Sequence, residues 1–421
     1  MLFASTLASS IFFIVHCKER RYHFLPRIIL LKLSQTNEVE ILKQIQEVLL
    51  MKLPGKTLWL CFFIHTLLII VAYFLSTTLP QRPPAGFIDE SLYPFSPYLE
   101  KFVRWDAHWY TYIASHGYTL QSIVFFPAII LLIKLLSFLG LHFAFAGLLL
   151  CNTFALLSFW VMYLTFRLDY SERVVNRALF SYAVMPTSFF LNSIYTEPIF
   201  ITSSLACIYF ARVNKWWYAG IAGAWAVLTR NLGIFLLLFL LYEAIKQNYH
   251  KKKEGYLVFP LLLPLIAILL FMTYNFYLFQ NPIAFATSQH AWGRQLGLPW
   301  QNIWNNLPLA FAPNLANQPG VTLDFFLVIG SAIGLSCVTF LPKFKVHSSY
   351  LIIGWLWFLI PLMFTSSELP LYSMSRFILP IFPLYLFFAQ LPNYLFYCII
   401  ISSATTLLLC TSLFINWYWI G

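Results

Sequence analysis

Charged residues are scarce in this sequence. Only 10% of its 421 residues are charged and 60% are hydrophobic, whereas a soluble globular chain carries about 25% charge. This composition excludes a soluble enzyme, a disordered tail and a disulfide scaffold. Because about 20 apolar residues suffice for one helical membrane crossing, the chain is long enough to cross a membrane many times. We therefore predict an all-α, polytopic integral membrane protein.

The motifs of several enzyme classes are also missing. The sequence has no P-loop, no Gly-rich dinucleotide fingerprint, no HExxH and no GxSxG, so nucleotide-driven transport, redox, metalloprotease and serine-hydrolase functions lack their usual signatures. Its seven cysteines form no CxxC pair and are interpreted as small core residues. No cofactor is predicted. Asp89, Glu90 and Asp106 are the acids that would hold a divalent metal, but no metal motif indicates one.

Aromatic and basic residues are abundant by contrast. Phe, Tyr and Trp make up 19% of the chain, which is typical of membrane interfaces and of carbohydrate contacts. The net charge of +11 comes from Lys and Arg residues in short stretches between apolar runs. We therefore assign this charge to membrane topology and expect no nucleic-acid partner, while the sequence leaves the oligomeric state open.

The apolar runs define the predicted crossings. Run 57–79 is the first, whereas run 123–140 is ambiguous because it carries Lys134. If 123–140 does not cross, 19 of the 26 Lys and Arg residues share one side, which the positive-inside rule makes cytoplasmic; if it crosses, this bias disappears. We therefore predict a re-entrant or interfacial helix there and about 11–12 transmembrane helices. The other apolar runs are 143–166, 178–194, 198–211, 216–229, 231–245, 256–279, 321–341, 347–365, 377–391 and 394–416.

Three polar stretches between the runs are predicted to lie outside the cytoplasm. They are a large first loop at about 80–120, a second loop at about 280–320 and a short third loop at 366–376. Residues 1–56 differ from the rest of the chain and have two interpretations: a cytoplasmic extension with an amphipathic helix over 38–51, or an over-long gene model. The functional domain is expected over 57–421.

The first polar loop concentrates aromatic, basic and acidic residues. Trp105, Trp109 and Ile113 have helical spacing and Gly117 is a typical C-cap, so we expect a helix along the membrane interface with tryptophans anchoring one face. Asp106 is the candidate catalytic base, because activating a sugar hydroxyl requires a carboxylate beside apolar ring walls. An aromatic belt with an Arg104–Asp106 surface ion pair explains the pattern equally well. The candidate substrate-binding residues here are Arg104, Trp105, His108, Trp109 and Tyr110.

Two further junctions between apolar runs carry charge. Glu197, in the segment Tyr195–Pro198, stands where a crossing ends, and a Glu there is costly unless it is solvated, paired or placed at a helix N-terminus. Arg230 interrupts an apolar hairpin on the same face. It is interpreted either as a partner of Glu197 or, slightly favoured, as a clamp for a phosphate at membrane level.

The second and third polar loops supply the remaining candidates. Gln289, Trp292 and Arg294 lie in the second loop and Arg376 begins a later apolar run. Their side chains suit recognition of an anionic or sugar ligand, yet ordinary loops between membrane spans need similar residues. Without other support the ordinary loop is favoured for the second loop, and Arg376 has both interpretations.

Several of these segments together resemble a known family. The stretch Arg104–Tyr110 (RWDAHWY) is followed by IASHGY at 113–118, FFP at 125–127, YTEP at 195–198 and LTR at 228–230. This series resembles the second GPI mannosyltransferase family and its prokaryotic relatives, which are multi-spanning glycosyltransferases of the GT-C type. The unusual first 50 residues depart from the GPI enzymes.

The resemblance implies an enzyme, a hexosyltransferase, that uses a dolichyl- or polyprenyl-phosphate sugar, usually mannose. Transfer to a lipid- or glycan-linked acceptor would take place outside the cytoplasm with inversion. It implies that Asp106 is the general base and that Glu197 and Arg230 bind the donor phosphate or organise the site. On chemical grounds, Arg294 and Arg376 are further candidates to stabilise the departing phosphate, and Tyr195 is placed in the same donor-phosphate or site-organising group.

Location and alternatives complete these expectations. The chain has no Asn-x-Ser/Thr sequon, which favours a prokaryotic relative in the plasma membrane over a eukaryotic one in the endoplasmic reticulum. The alternative function is a polytopic lipid or sugar transporter, or flippase. Such a protein is expected to place ionisable groups near the middle of the membrane, whereas here they gather at one face. A third alternative, a membrane assembly factor without catalysis, would tolerate loss of Asp106.

Overall fold

Helices dominate the structure, as the apolar runs predict. A computed structural model describes residues 55–247, 258–312, 318–366 and 368–421, and about 73% of these residues are helical. The prediction of an all-α protein is therefore confirmed at the level of fold class. The α-helices within the described residues are α1 (Lys56–Leu75), α2 (Asp106–His116), α3 (Pro127–Phe138), α4 (Phe143–Arg167), α5 (Glu172–Ala183), α6 (Glu197–Arg212), α7 (Trp216–Thr229), α8 (Leu236–Lys246), α9 (Phe259–Phe279), α10 (Ala284–Thr287), α11 (Pro299–Ala310), α12 (Pro319–Phe340), α13 (Ser348–Leu362), α14 (Met374–Ile378), α15 (Pro383–Ala389) and α16 (Asn393–Ile415).

Five of these helices are long and apolar enough to cross a membrane. They are α1 with its following 3-10 turn, α4, α9, α12 and α16, each of 21 to 25 residues. At 1.5 Å per residue such helices reach about 30 Å, the thickness of a hydrocarbon core. The structure is therefore compatible with a membrane protein by helix length and composition.

Helix α6 forms the centre of the packing. It contacts α4 and α7, α7 in turn packs on α9, and α16 lies against α1. Nearly the whole of α6 is buried, from Glu197 to Ala211. Pro198 occupies its first turn, where the missing N–H removes no helical hydrogen bond. Because neighbouring helices cover most of α6, both of its ends are held in fixed positions. Its first residue, Glu197, is one of the candidate site residues.

Helix α3 is the ambiguous run 123–140. It has only 12 residues, about 18 Å of helix, and Lys134 is exposed. This length is less than a full crossing, and the re-entrant or interfacial placement of this helix stays a prediction.

Several predicted boundaries are wrong for local reasons. Run 178–194 is not one helix, because α5 ends before Pro186, and run 377–391 is divided into α14 and α15 around Pro380 and Pro383, since proline breaks helical hydrogen bonding. The second polar loop contains the helix α11. The sequence also gives no sign of strands, yet β1 (Arg294–Leu296) and β2 (Phe364–Ser366) pair antiparallel, with Arg294 opposite Ser366.

The predictions for the N-terminal 50 residues, including the amphipathic helix over 38–51, lie outside the described residues. So does the cluster of lysines at 251–253.

Candidate functional site

The three polar loops meet at one end of the helices. The pair β1–β2 joins the second loop to the third. Trp292, in a 3-10 turn just before β1, donates from Nε1 to the carbonyl oxygen of Gln121 in the first loop at 3.0 Å. Its ring also packs at 5.5 Å from both Trp109 and Phe125. These contacts close the loops around a common cavity.

The cavity contains about 740 Å³ of empty space, part of it open to solvent. Residues from the first loop, the α7–α8 junction and the two later loops line it together, although they are far apart in the sequence. The predicted site residues that line the cavity are Asp106, Tyr110, Arg230, Gln289, Trp292, Arg294 and Arg376.

Asp106 is the first residue of α2, and its backbone is held in an unusual way. The preceding residue, Trp105, has φ +55° and ψ −116°, a region that costs a non-glycine residue energy and persists only when packing enforces it. The Trp105 ring contacts Trp417 at 5.8 Å and Trp419 at 4.9 Å between centroids. The helix N-terminus also favours a carboxylate. The expected helix with its Gly117 cap is confirmed, since Gly117 donates to the carbonyl of Ile113 at 2.9 Å.

Asp106, Arg376, Glu197 and Arg230 form one chain of ion pairs. Arg376 donates from Nη1 to Asp106 Oδ2 at 2.7 Å and from Nε to Glu197 Oε1 at 2.9 Å. The same Glu197 oxygen lies 3.2 Å from Nη2 of Arg230. Glu197 is fully buried, so the arginines supply the pairing that a buried carboxylate needs. Arg230 is therefore a partner of Glu197, one of the two roles considered from the sequence.

This network leaves donor capacity unused. Nη1 of Arg230 is buried without a hydrogen-bond partner among the described residues. Arg294 makes no ion pair within the described part of the chain, and its guanidinium lies over the rings of Tyr372 (5.5 Å) and Phe377 (6.0 Å). With Arg230, Arg294 and Arg376 against Asp106 and Glu197, the arginines outnumber the carboxylates by one. The cavity is thus suited to an anion.

Aromatic rings support the charged groups. The guanidinium of Arg376 stands 4.5 Å from the ring centroid of Tyr195, and Tyr195 donates from its hydroxyl to the carbonyl of Arg104 at 3.3 Å. Tyr195 therefore underlies the network rather than lining the cavity. Tyr110, one helical turn after Asp106, does line it, and burial raises the pKa of the Tyr110 hydroxyl above its ordinary value, which keeps that group neutral.

Arg104, Trp105, His108 and Trp109 do not line the cavity. Arg104 pairs with Glu100 at 3.6 Å and donates from Nε to the carbonyl of Ile415, so the Arg104–Asp106 surface pair is not formed. Trp109 is only 8% exposed and stacks on Phe87 at 4.0 Å. The expectation that Trp109 anchors the helix at the membrane interface is wrong, because the rings of four aromatic neighbours, Phe87, Tyr112, Phe125 and Trp292, pack around it. These four residues support the shape of the first loop.

Several lining residues were missed by sequence reasoning, among them Tyr372, Ser373 and Trp419. Tyr372 and Ser373 precede α14, and Trp419 lies in the C-terminal segment. The rings of Tyr372 and Trp419 stack at 5.5 Å with an angle of 14°. Tyr372 lies in the third polar loop, so its position could have identified it as a site candidate. Trp419 follows the last apolar run, where the sequence cannot distinguish it from a tryptophan at the membrane interface.

The acids of the first loop do not gather into a metal site. Asp89 is buried and accepts hydrogen bonds from Ser91 and Thr111. Among the described residues, no group of three or more His, Cys, Asp or Glu side chains is placed to hold a metal ion.

Comparison with known proteins adds no family to these observations. The chain matches none of the protein-family models and none of the curated proteins searched.

Proposed function

We propose that the protein is a membrane glycosyltransferase that moves a sugar, most simply mannose, from a polyprenyl- or dolichyl-phosphate donor to a lipid- or glycan-linked acceptor. The observation that carries this proposal is the cavity with one carboxylate, Asp106, beside an unbalanced set of arginines. The motif series of the sequence adds the resemblance to the second GPI mannosyltransferase family and its prokaryotic relatives.

The excess positive charge matches the donor. A sugar phosphodiester carries a single negative charge. Nη1 of Arg230 has no hydrogen-bond partner among the described residues, and the guanidinium of Arg294 lies against aromatic rings. Arginine binds phosphate oxygens in a bidentate manner. As the bond between the sugar and the phosphate breaks, negative charge grows on the departing lipid phosphate, and fixed cations stabilise that charge.

The two carboxylate oxygens of Asp106 differ in their hydrogen bonding, and this difference supports its role as the base. Oδ2 is fixed by Arg376 at 2.7 Å, while Oδ1 accepts no hydrogen bond from the described residues. The acceptor hydroxyl would attack the anomeric carbon from the face opposite the phosphate, which inverts that carbon, and its proton would pass to Oδ1. Fixing one oxygen orients the other, which is the positioning that such a reaction requires.

A membrane arrangement with about 11–12 crossings completes the proposal. The cavity would open outside the cytoplasm, in the plasma membrane of a prokaryote or in the endoplasmic reticulum of a eukaryote. The placement of the charged cavity at one end of the helices, rather than midway along them, supports an interfacial enzyme over a transporter.

The test is transfer of radiolabelled mannose from polyprenyl-phosphate mannose to a membrane lipid extract. Asp106→Asn is expected to lower the rate by about 10²–10⁴, the usual contribution of a general base, without loss of folded protein. Glu90→Gln is the matched control, because Glu90 is an exposed acid of the same loop outside the cavity.

Near-normal transfer by Asp106→Asn would remove Asp106 from the base role. Absence of transfer by the wild-type protein, together with movement of the labelled lipid across the membrane, would favour the transporter. If the wild type transfers sugar and Glu90→Gln matches it, the proposal stands.

A further inference from the structure

Helix α11 has two of its asparagines turned toward the protein. Asn302 and Asn306, one turn apart, are 2% and 1% exposed. The Asn302 side chain donates to the carbonyl oxygen of Leu362 at 2.8 Å, and that of Asn306 to the carbonyl of Val321 at 3.4 Å. These bonds attach α11 to the end of α13 and to the first turn of α12, so the asparagines hold the helix in place.

The outer surface of α11 is aromatic on one side and polar on the other. Trp300 and Trp304 are 65% and 73% exposed, and Gln301 and Asn305 are exposed as well. At about 100° per residue, the Gln301–Asn305 stripe lies roughly 100° from the tryptophan stripe and roughly 100° from the buried asparagine stripe, and the tryptophan and asparagine stripes are roughly 160° apart. The helix thus has three faces, for protein, for an apolar medium and for water.

The tryptophan stripe continues onto a helix that is long enough to span a membrane. Phe311, directly after α11, is 59% exposed and lies 5.9 Å from the rings of Phe325 and Phe326 on α12. Phe326 is itself 54% exposed. Since α12 is one of the five candidate spans, its exposed surface is the surface that would face lipid, and the stripe is continuous with it.

We propose that α11 is an interfacial helix that inserts Trp300 and Trp304 into the bilayer at the headgroup boundary on the side where the cavity opens. Tryptophan is enriched at that depth, and a helix of this type lies in the plane of the interface. Strand β1 ends two residues before Leu298, the N-cap of α11. Insertion of α11 would therefore hold Arg294 at the depth of lipid phosphates. This inference rests on the membrane placement in the proposed function, and not on the transfer reaction.

The depth of the two outer faces can be measured with nitroxide labels on the full-length protein in lipid vesicles. The exposed Cys398 is first replaced by Ser, and the signal of that parent is subtracted. Trp304→Cys and Asn305→Cys are then labelled, with Leu270→Cys as a lipid-facing reference, because Leu270 is 65% exposed on the candidate span α9. Power saturation compares collisions with oxygen, which concentrates in the bilayer, and with a water-soluble nickel chelate.

We expect the label at 304 to resemble that at 270, with oxygen collisions dominant, and the label at 305 to show a severalfold greater accessibility to nickel. Frequent collisions of the labels at both 304 and 305 with the nickel chelate would overturn the inference. The tryptophan stripe would then face water, where it could bind a water-soluble partner. Spin–spin broadening between labels at 304 would overturn it in favour of a second copy of the chain. Because no turnover is measured, this result is independent of the transfer assay, and either proposal can fail while the other stands.

Discussion

At the scale of single residues, Arg230 and its neighbour Arg376 differ in their hydrogen bonding. Arg376 donates from both Nε and Nη1 to carboxylate oxygens. In Arg230, Nη2 lies beside Glu197, and Nη1 is buried without a partner among the described residues. A buried donor without a partner is costly. A ligand oxygen at Nη1 would remove that cost, which makes Arg230 the better candidate for direct contact with the donor phosphate.

Arg230→Lys tests this assignment because it keeps the charge and removes the planar fork. We expect KM for the polyprenyl-phosphate sugar to rise about 10-fold or more, the loss of one charge-assisted hydrogen bond, with little change in KM for the acceptor. Arg173→Lys is the control, since Arg173 is an exposed arginine that bonds Asn393 away from the cavity. An unchanged donor KM in steady-state kinetics would contradict the phosphate role.

His108 is a buried histidine whose surroundings favour the neutral form. Its Nδ1 accepts the backbone N–H of Asp89 at 3.3 Å, and its ring stacks on Trp417. Burial, reinforced by the nearby positive charge of Arg104 and only partly offset by Asp89, lowers the pKa of His108 to about 4. If Nδ1 were protonated, two donors, Nδ1–H of His108 and the backbone N–H of Asp89, would face each other without an acceptor.

Stability should therefore fall on acidification. The unfolded histidine titrates near 6.5, so between that pH and about 4 the unfolded chain binds the extra proton and the folded chain does not. Stability contributed by neutral His108 is present above pH 6.5 and is lost as the pH falls toward 4. From pH 7 to pH 5 the loss is about 2 kcal/mol.

His108→Phe keeps a ring against Trp417 and removes the titration. The melting temperature of the wild-type protein in detergent is expected to drop more between pH 7 and pH 5 than that of this variant. Equal drops would mean that His108 is not the titrating group.

At the scale of elements, the one-turn helix α14 is too short to fix Arg376 alone. It begins after Ser373, whose φ is +63°, and the backbone N–H of Ser375 donates to Oδ1 of Asp324 on α12 at 2.6 Å. Thr187 donates from Oγ1 to the carbonyl oxygen of Ser375 at 3.1 Å. Asp324 therefore acts as an N-terminal cap supplied by a distant helix, and it positions Arg376.

Asp324→Ala should lower kcat for sugar transfer about 10-fold, because a misplaced Arg376 no longer orients Asp106, with a smaller effect on donor KM. Asp324→Asn retains an acceptor oxygen and is expected to restore most of the rate. A purely structural role predicts parallel losses of folded protein and activity in both variants, which thermal unfolding in detergent would reveal.

Element boundaries were predictable where hydrophobicity alone decides them. The run 216–229 coincides with α7, and the last run differs from α16 by one residue at each end. Prediction failed where prolines divide an apolar run, as around Pro380 and Pro383, and where strands of three residues depend on a partner in another loop. Neither feature changes the hydropathy of its segment.

At the scale of the whole molecule, charged residues gather at the two ends of α6. Glu197 begins this helix at the cavity, and Arg212 ends it, about 24 Å away at 1.5 Å per residue. Arg212 donates to both oxygens of Asp169 at 2.7 and 2.9 Å, and its Nε lies 3.8 Å from Glu243. The second network therefore lies at the end of α6 that is remote from the cavity.

The candidate site was predictable as a set of residues and not as a geometry. Asp106, Glu197, Arg230 and Arg376 stood out because charge is rare in this chain, and they are joined in one network. Their pairing was not predictable, since the Asp106–Arg376 bond joins residues 270 positions apart and no local spacing encodes it. Charge balance in the cavity, on which the phosphate argument depends, appears only after folding.

The orientation of the molecule in the membrane gives the last prediction. Helix α12 has 22 residues, about 33 Å and thus enough for one full crossing. Leu296, 74% exposed on β1, belongs to the loop before α12, and exposed Lys343 follows its other end. By the positive-inside rule Lys343 is expected in the cytoplasm.

In a Cys398→Ser background, a membrane-impermeant maleimide should label Leu296→Cys in intact cells and Lys343→Cys only after permeabilisation. Labelling of both positions in intact cells would mean that α12 does not cross, and the reverse pattern would place the cavity inside the cell, where the proposed transfer to an extracytoplasmic acceptor fails.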